Sequence, residues 1–90
     1  MNPKIKINQI FDKPSWRFNI IIEDEKGKTQ HSVSMSKDFY KSLDLDIEPW
    51  KIINETFRFL LVKEPKESIL KEFDITIVSY YFPEFKEEFD

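Results

Sequence analysis

The sequence predicts an α+β domain: a three-stranded antiparallel meander followed by three or four helices, one of them central. Three observations carry this. From Lys4 to Met35, apolar and polar residues alternate with the period of strands. The only glycine, Gly27, lies in a polar stretch between two such runs, where a hairpin turn wants positive φ. From Pro49 to Glu64 the chain reads PWKIINETFRFLLVKE, apolar on two sides at helical spacing.

The first strand is placed at Lys4–Phe11, with Ile5 and Ile7 on one face and Lys4, Lys6 and Asn8 on the other. Asp12-Lys13-Pro14-Ser15 supplies a turn. The second strand runs from Trp16 to Glu23, with Trp16, Phe18, Ile20 and Ile22 in register on one face. After the turn at Gly27 comes a third strand, with Thr29, His31, Val33 and Met35 facing one way and Gln30, Ser32 and Ser34 the other.

Ser36 is a suitable cap for a short helix, Lys37–Leu43, with Asp38 in its first turn. Phe39, Tyr40 and Leu43 are spaced to face the core together. Pro49 opens the central helix at its first position, where a missing N–H costs nothing. At about 100° per residue, Trp50, Ile53, Phe57, Leu60 and Leu61 fall on one side, and Ile52 and Phe59 fall nearly opposite. Lys51, Asn54, Glu55 and Arg58 form the solvated strip. Pro65 ends or kinks this helix, and Lys66–Phe73 reads as a second helical run with Ile69, Leu70 and Phe73 on one face.

The stretch Asp74–Phe82 is rich in β-branched and aromatic residues. Asp74 nevertheless caps a helix well, and Ile75, Val78 and Phe82 share a helical face. A short helix is the reading chosen, with a fourth strand as the alternative. Residues 1–90 are taken as one domain, with 83–90 a docked or frayed tail.

Composition narrows the function classes. Nine Phe among 90 residues give a small domain enough apolar area for a core. No apolar run reaches the ~20 residues of a membrane span, and MNPKIKINQI has too short an apolar run for a signal peptide. With zero Cys there is neither a disulfide nor a thiolate metal site, and a cytoplasmic protein is expected. The net charge of −3 argues against broad binding to nucleic acid or acidic lipid. Lys4, Lys6, Lys13 and Arg17 near the start, and Glu84, Glu87, Glu88 and Asp90 at the end, read as a mixed solvated surface.

Within EPWKIINETFRFLLVKEPKESILKEFDITIVSYYFPEF, four short patterns recur in a known group. They are Phe57-Arg58-Phe59-Leu60-Leu61, Glu64-Pro65-Lys66-Glu67-Ser68-Ile69-Leu70, Phe73-Asp74 and Tyr81-Phe82-Pro83-Glu84. On them the chain resembles a group of small bacterial proteins to which no function is attached. The likeness covers about the last two thirds of the chain. It implies a shared fold unit and favours helix over Ile75–Phe82, and it implies no activity. Glu48 departs from the pattern, where a better cap such as Ser would be expected.

Catalytic signatures are sparse. His31 is the single histidine, and a lone strand histidine is read as a hydrogen-bonded structural residue. Without Cys or a second His, a zinc site would need several carboxylates at ligand spacing on one element. Asp44, Asp46 and Glu48 lack the Gly and the distal Glu of a calcium loop. One Gly cannot build a phosphate loop, and Ser32, Ser34, Ser36, Ser42, Ser68 and Ser79 have no base paired with them by motif. No catalytic, cofactor-binding or metal residue is therefore assigned.

The expected function is a non-catalytic protein-binding module, a small subunit or regulator of a larger assembly. Its partner is another protein or a second copy, with no membrane role. The candidate contact residues are Tyr80, Tyr81, Phe82, Phe85 and Phe89, because aromatics dominate interface hot spots. Self-association could use the edge of the Lys4–Phe11 or the Gln30–Met35 strand. The alternative is a dimeric ribbon-helix-helix-like DNA-binding protein, in which a strand and two helices follow in this order and Gln30, Ser32 and Ser34 read bases.

Overall fold

The computed structural model describes residues 3–89, so Met1, Asn2 and Asp90 of the expected domain and tail lie outside the described residues. Three long strands, β1 (Lys4–Phe11), β2 (Trp16–Asp24) and β3 (Gly27–Met35), form the expected meander. Gly27 has φ 132°, a positive value that glycine adopts at no steric cost. Phe18, Ile20, Ile22, Val33 and Met35 are buried on one face, and the other face is open and mostly polar.

The sheet has a fourth strand that the sequence reading did not place. β4 (Glu72–Asp74) runs parallel to β3, and the order is β1-β2-β3-β4. The expected helix over Lys66–Phe73 is corrected accordingly. Only Lys66–Ser68 coils, as a 3-10 turn after Pro65, and the chain then extends. Main-chain bonds decide the matter: Ser32 N–H donates to the Lys71 carbonyl at 2.7 Å, and Ile75 N–H to that of Ser34 at 2.9 Å. A strand edge some 40 positions back in the chain outcompetes local helix propensity.

Helix α1 (Lys37–Ser42) is capped by Ser36, whose hydroxyl accepts from Phe39 N–H at 3.0 Å. Asp44 follows with φ 51° and closes the helix by bonding to the Lys41 carbonyl. The central helix, α2 (Pro49–Lys63), lies across the apolar face of the sheet and reaches β1. Helix α3 (Thr76–Tyr81) realises the chosen helical reading, and a 3-10 segment, Pro83–Phe89, docks after it.

α2 is buried on two sides, with one exchange of members. Ile52, Ile53, Phe57, Phe59 and Leu60 are inside, and Leu61 is half-buried. Trp50, expected in the core, is 45% exposed. Its indole N–H donates to the Glu48 carboxylate and Lys51 sits over its ring, so its polar handle is satisfied at the surface. Thr56 takes a core position instead, its hydroxyl bonded to the Ile52 carbonyl at 2.7 Å. Phe57 packs on His31 and Phe73 from the sheet, whereas Phe59 meets Phe82 and Phe85 from the C-terminal elements.

Phe57 and Trp50 should therefore separate in denaturant. Phe57→Ala is expected to cost about 3–5 kcal/mol, as for a fully buried ring. Trp50→Ala should cost under about 1 kcal/mol. Urea unfolding followed by circular dichroism checks both.

Candidate functional site

The end of α2 sets the geometry of the next segment. Glu64 leaves the helix in extended conformation before Pro65. The 3-10 turn then buries Lys66, which is 2% exposed. A buried ammonium must be paired, and Lys66 Nζ lies 2.8 Å from Asp24 Oδ1 and against the Glu67 carboxylate. The bond to Asp24 is the main cause of a raised Lys66 pKa, and the same bond holds the Asp24 carboxyl below its ordinary value. The pair ties the β2–β3 hairpin tip to the chain leaving α2.

Three residues later, Ile69 turns into the core while Leu70 turns out, 54% exposed. His31 holds this bend. The Leu70 carbonyl can only accept, so His31 Nδ1 carries the proton it donates across 2.8 Å. His31 Nε2 is then the acceptor for the Thr29 hydroxyl at 2.9 Å. Burial is the largest influence on the imidazole and lowers its pKa, against the Leu70 bond, which raises it; nearby Lys71 adds to the lowering.

Between this bend, the end of α2 and α3 lies an apolar groove of about 450 Å³. Leu60, Ile69 and Phe73 form its buried floor, and Leu70, Ile77 and Tyr81 its exposed rim. Ile77 and Tyr81 are four apart on α3 and so stack along one side of it. Glu64 and Ser68 are the polar residues of its lining. Such a groove can remove apolar side chains of a partner from water, at roughly 25 cal/mol per Å².

The five aromatic residues singled out from the sequence do not make one patch. Phe85 is fully buried, 5.3 Å from Phe59, and Phe89 is half-buried edge-on to Phe85. Phe82 is half-buried against Phe59 and borders the groove. Tyr80 and Tyr81 face solvent, edge-to-face with each other at 5.4 Å, and Tyr81 forms part of the rim. Sequence reasoning missed Leu70 and Ile77 as contact residues. It assigns Leu70 to the inner face of a helix that is not there. Ile77 carries a usable signal, since it falls off the helical face shared by Ile75, Val78 and Phe82.

Gln30, Ser32 and Ser34 lie on the open face of the sheet, each tied to a neighbour. Gln30 Nε2 donates to Asn19 Oδ1 at 3.0 Å, and Ser32 Oγ accepts from Arg17 Nη1 at 2.8 Å. Ser34 Oγ donates to Asp74 Oδ2 at 2.7 Å. β3 is an interior strand flanked by β2 and β4, so over Ser32–Ser34 it offers no edge to a symmetry mate. A ribbon-helix-helix dimer requires such an edge, and so does self-pairing through Gln30–Met35. His31 points to the opposite face from Ser32 and Ser34, so it cannot serve either hydroxyl as a base.

Among the described residues no three His, Asp or Glu side chains converge as a metal site, and no helix is long and apolar enough to cross a membrane. Comparison of the chain with protein-family models, with curated protein sequences and with solved structures returned no match.

The His31 latch makes stability depend on pH in a defined window. The folded pKa is depressed, so below the ordinary value of about 6.5 the unfolded chain binds a proton that the folded chain refuses. Stability should fall as pH drops from about 7 to 5.5. Asp24, Glu67 and Asp74, whose pKa values are lowered, add their own loss only below about pH 4.5. In His31→Gln the slope between about pH 7 and 5.5 should vanish, as measured by urea unfolding at stepped pH.

Proposed function

We propose that this protein is a non-catalytic protein-binding module, a small subunit or regulator of a larger assembly, that takes an apolar segment of a partner into the groove beside α3. The observation that carries the reading is the exposed rim of Leu70, Ile77 and Tyr81 over a buried apolar floor. Contiguous exposed apolar groups of this kind mark interaction sites more often than isolated ones do. The contact set is thereby revised from the whole aromatic tail to Leu70, Ile77, Tyr81 and Phe82, with Tyr80 adjoining. Phe85 and Phe89 support α2 instead. The cytoplasmic location expected from the cysteine-free composition belongs to the same proposal.

The polar links behind the groove support this reading. Lys66–Asp24 and His31–Leu70 hold the bend rigid, and a preformed groove loses less entropy when it binds. The DNA-binding alternative has less support, because β4 pairs with β3 over Ser32–Ser34, which holds two of the three supposed reading residues.

A photo-crosslinking residue placed at Tyr81 should capture a protein partner in the native cells, and the same residue at Trp50, at the far end of α2, should not. Leu70→Asp should abolish the Tyr81 capture while the far-ultraviolet spectrum stays that of the native protein. Equal capture from Trp50 and Tyr81, or capture that survives Leu70→Asp, contradicts the proposal.

A further inference from the structure

The sheet has two free edges, and their chemistry is opposite. The orientation of their main-chain groups follows from the ladder. Ser32 and Ser34 bond to the β4 segment, so the even positions of β3 turn toward β4 and the odd positions toward β2. His31 faces Ile20, so the even positions of β2 turn toward β3 and the odd ones toward β1. Ile21 faces Lys6, which leaves the N–H and C=O groups of Ile5, Ile7 and Gln9 pointing off the sheet. On β4 the bonds through Lys71 and Ile75 turn the odd positions inward, which leaves those of Glu72 and Asp74 pointing off the other edge.

The side chains alternate in step with these groups. At the β1 edge, half-buried Ile5 and Ile7 lie on the helix-covered face, and exposed Lys4 and Lys6 lie on the open face. At the β4 edge, Phe73 lies on the covered face, with Glu72 and Asp74 on the open one. The Glu72 side chain remains 75% exposed despite its 3.3 Å contact with Arg17.

We propose that β1 of one copy of this chain pairs with β4 of the next, head to tail. β1 and β4 both run in the direction of β3, so a copy carried across without inversion presents β1 parallel to β4. In a parallel ladder a residue with outward main-chain groups sits beside one whose groups face away. Glu72 and Asp74 are therefore aligned with even positions of β1, which are Lys4 and Lys6 or Lys6 and Asn8. The same register sets Ile5 or Ile7 beside Phe73 on the covered face. Hydrogen bonding, apolar contact and charge all agree on one parity.

The symmetric arrangements lack this agreement. Two β1 strands would gather Lys4 and Lys6 of both copies on one strip, and two β4 strands would gather Glu72 and Asp74; like charges facing across strands destabilise. The lysines of β1 and the register shift between Gln9 and Phe11 guard the edge against indiscriminate pairing. They do not guard it against an acidic edge. The contact is heterologous and leaves one edge of each kind free, so it builds a ring or an open chain of copies. It runs along the edges of the sheet and meets the groove at Phe73, which lies in the groove's floor and beside Ile5 or Ile7 of the next copy.

Sedimentation of the purified full chain tests this. The weight-average mass should rise with concentration above the 10.9 kDa of one copy and return to it in about 1 M salt, where the Debye length is about 3 Å. Lys4→Glu/Lys6→Glu and Glu72→Lys should each raise the midpoint concentration of association about tenfold or more. Mixing the two variants should restore a contact, because the unaltered acidic β4 edge of the first meets the unaltered basic β1 edge of the second. Lys4, Lys6 and Glu72 are all solvent-exposed, so the folds are retained. A monomer at every concentration, association of Glu72→Lys equal to the unaltered chain, or a mixture no heavier than its parts overturns the proposal.

Discussion

Everything in this fold answers to the two apolar sides of α2. Phe57 and Phe59 are two positions apart, about 200° around the helix, and both are buried. The sheet can cover only one of them. Phe57 takes that side, against His31 and Phe73. Phe59 obliges the chain to come back after β4 and cover the helix a second time, with Phe82 and Phe85. A fully buried aromatic ring contributes on the order of 1.5–3 kcal/mol, which in a 90-residue domain is a large share of the total. The C-terminal 3-10 segment, which reads as a tail in the sequence, is therefore part of the helix's second cover.

The same constraint makes the groove. The chain must travel from the end of α2 to the sheet edge and then back over α2. Pro65, the buried Lys66 and the His31 bond to Leu70 fix the outward leg. α3 is the return leg. The two legs diverge, and the gap between them is lined by what each presents: Leu70 from one, Ile77 and Tyr81 from the other. Interaction surface and core packing thus share one cause.

Most of the fold was legible because its signals are local. Period-two alternation located β1, β2 and β3, Gly27 located the hairpin, and the two prolines bracketed α2 to within a residue. β4 was illegible because nothing local marks it. LKEFD has helical spacing, and what makes it a strand is a pair of main-chain bonds to residues some 40 positions away. Trp50 was misplaced because helical phase does not tell whether an indole N–H will find its partner inside or, as with Glu48, outside. The aromatic run at the C-terminus was visible as composition, but composition does not say which rings point in. Of the candidate site, Tyr81 and Phe82 were readable, and Leu70 was lost with the helix wrongly assigned to it.

The most direct test of the two-sided helix is the unfolding of a chain that stops at Phe82. Lacking Phe85 and Phe89, it should expose Phe59 and lose about 3–5 kcal/mol or more of stability in urea, with the α2 amides exchanging faster along with the rest. A truncated chain with an unchanged urea midpoint would mean that α2 needs the sheet alone, and that the core and the groove do not share one cause.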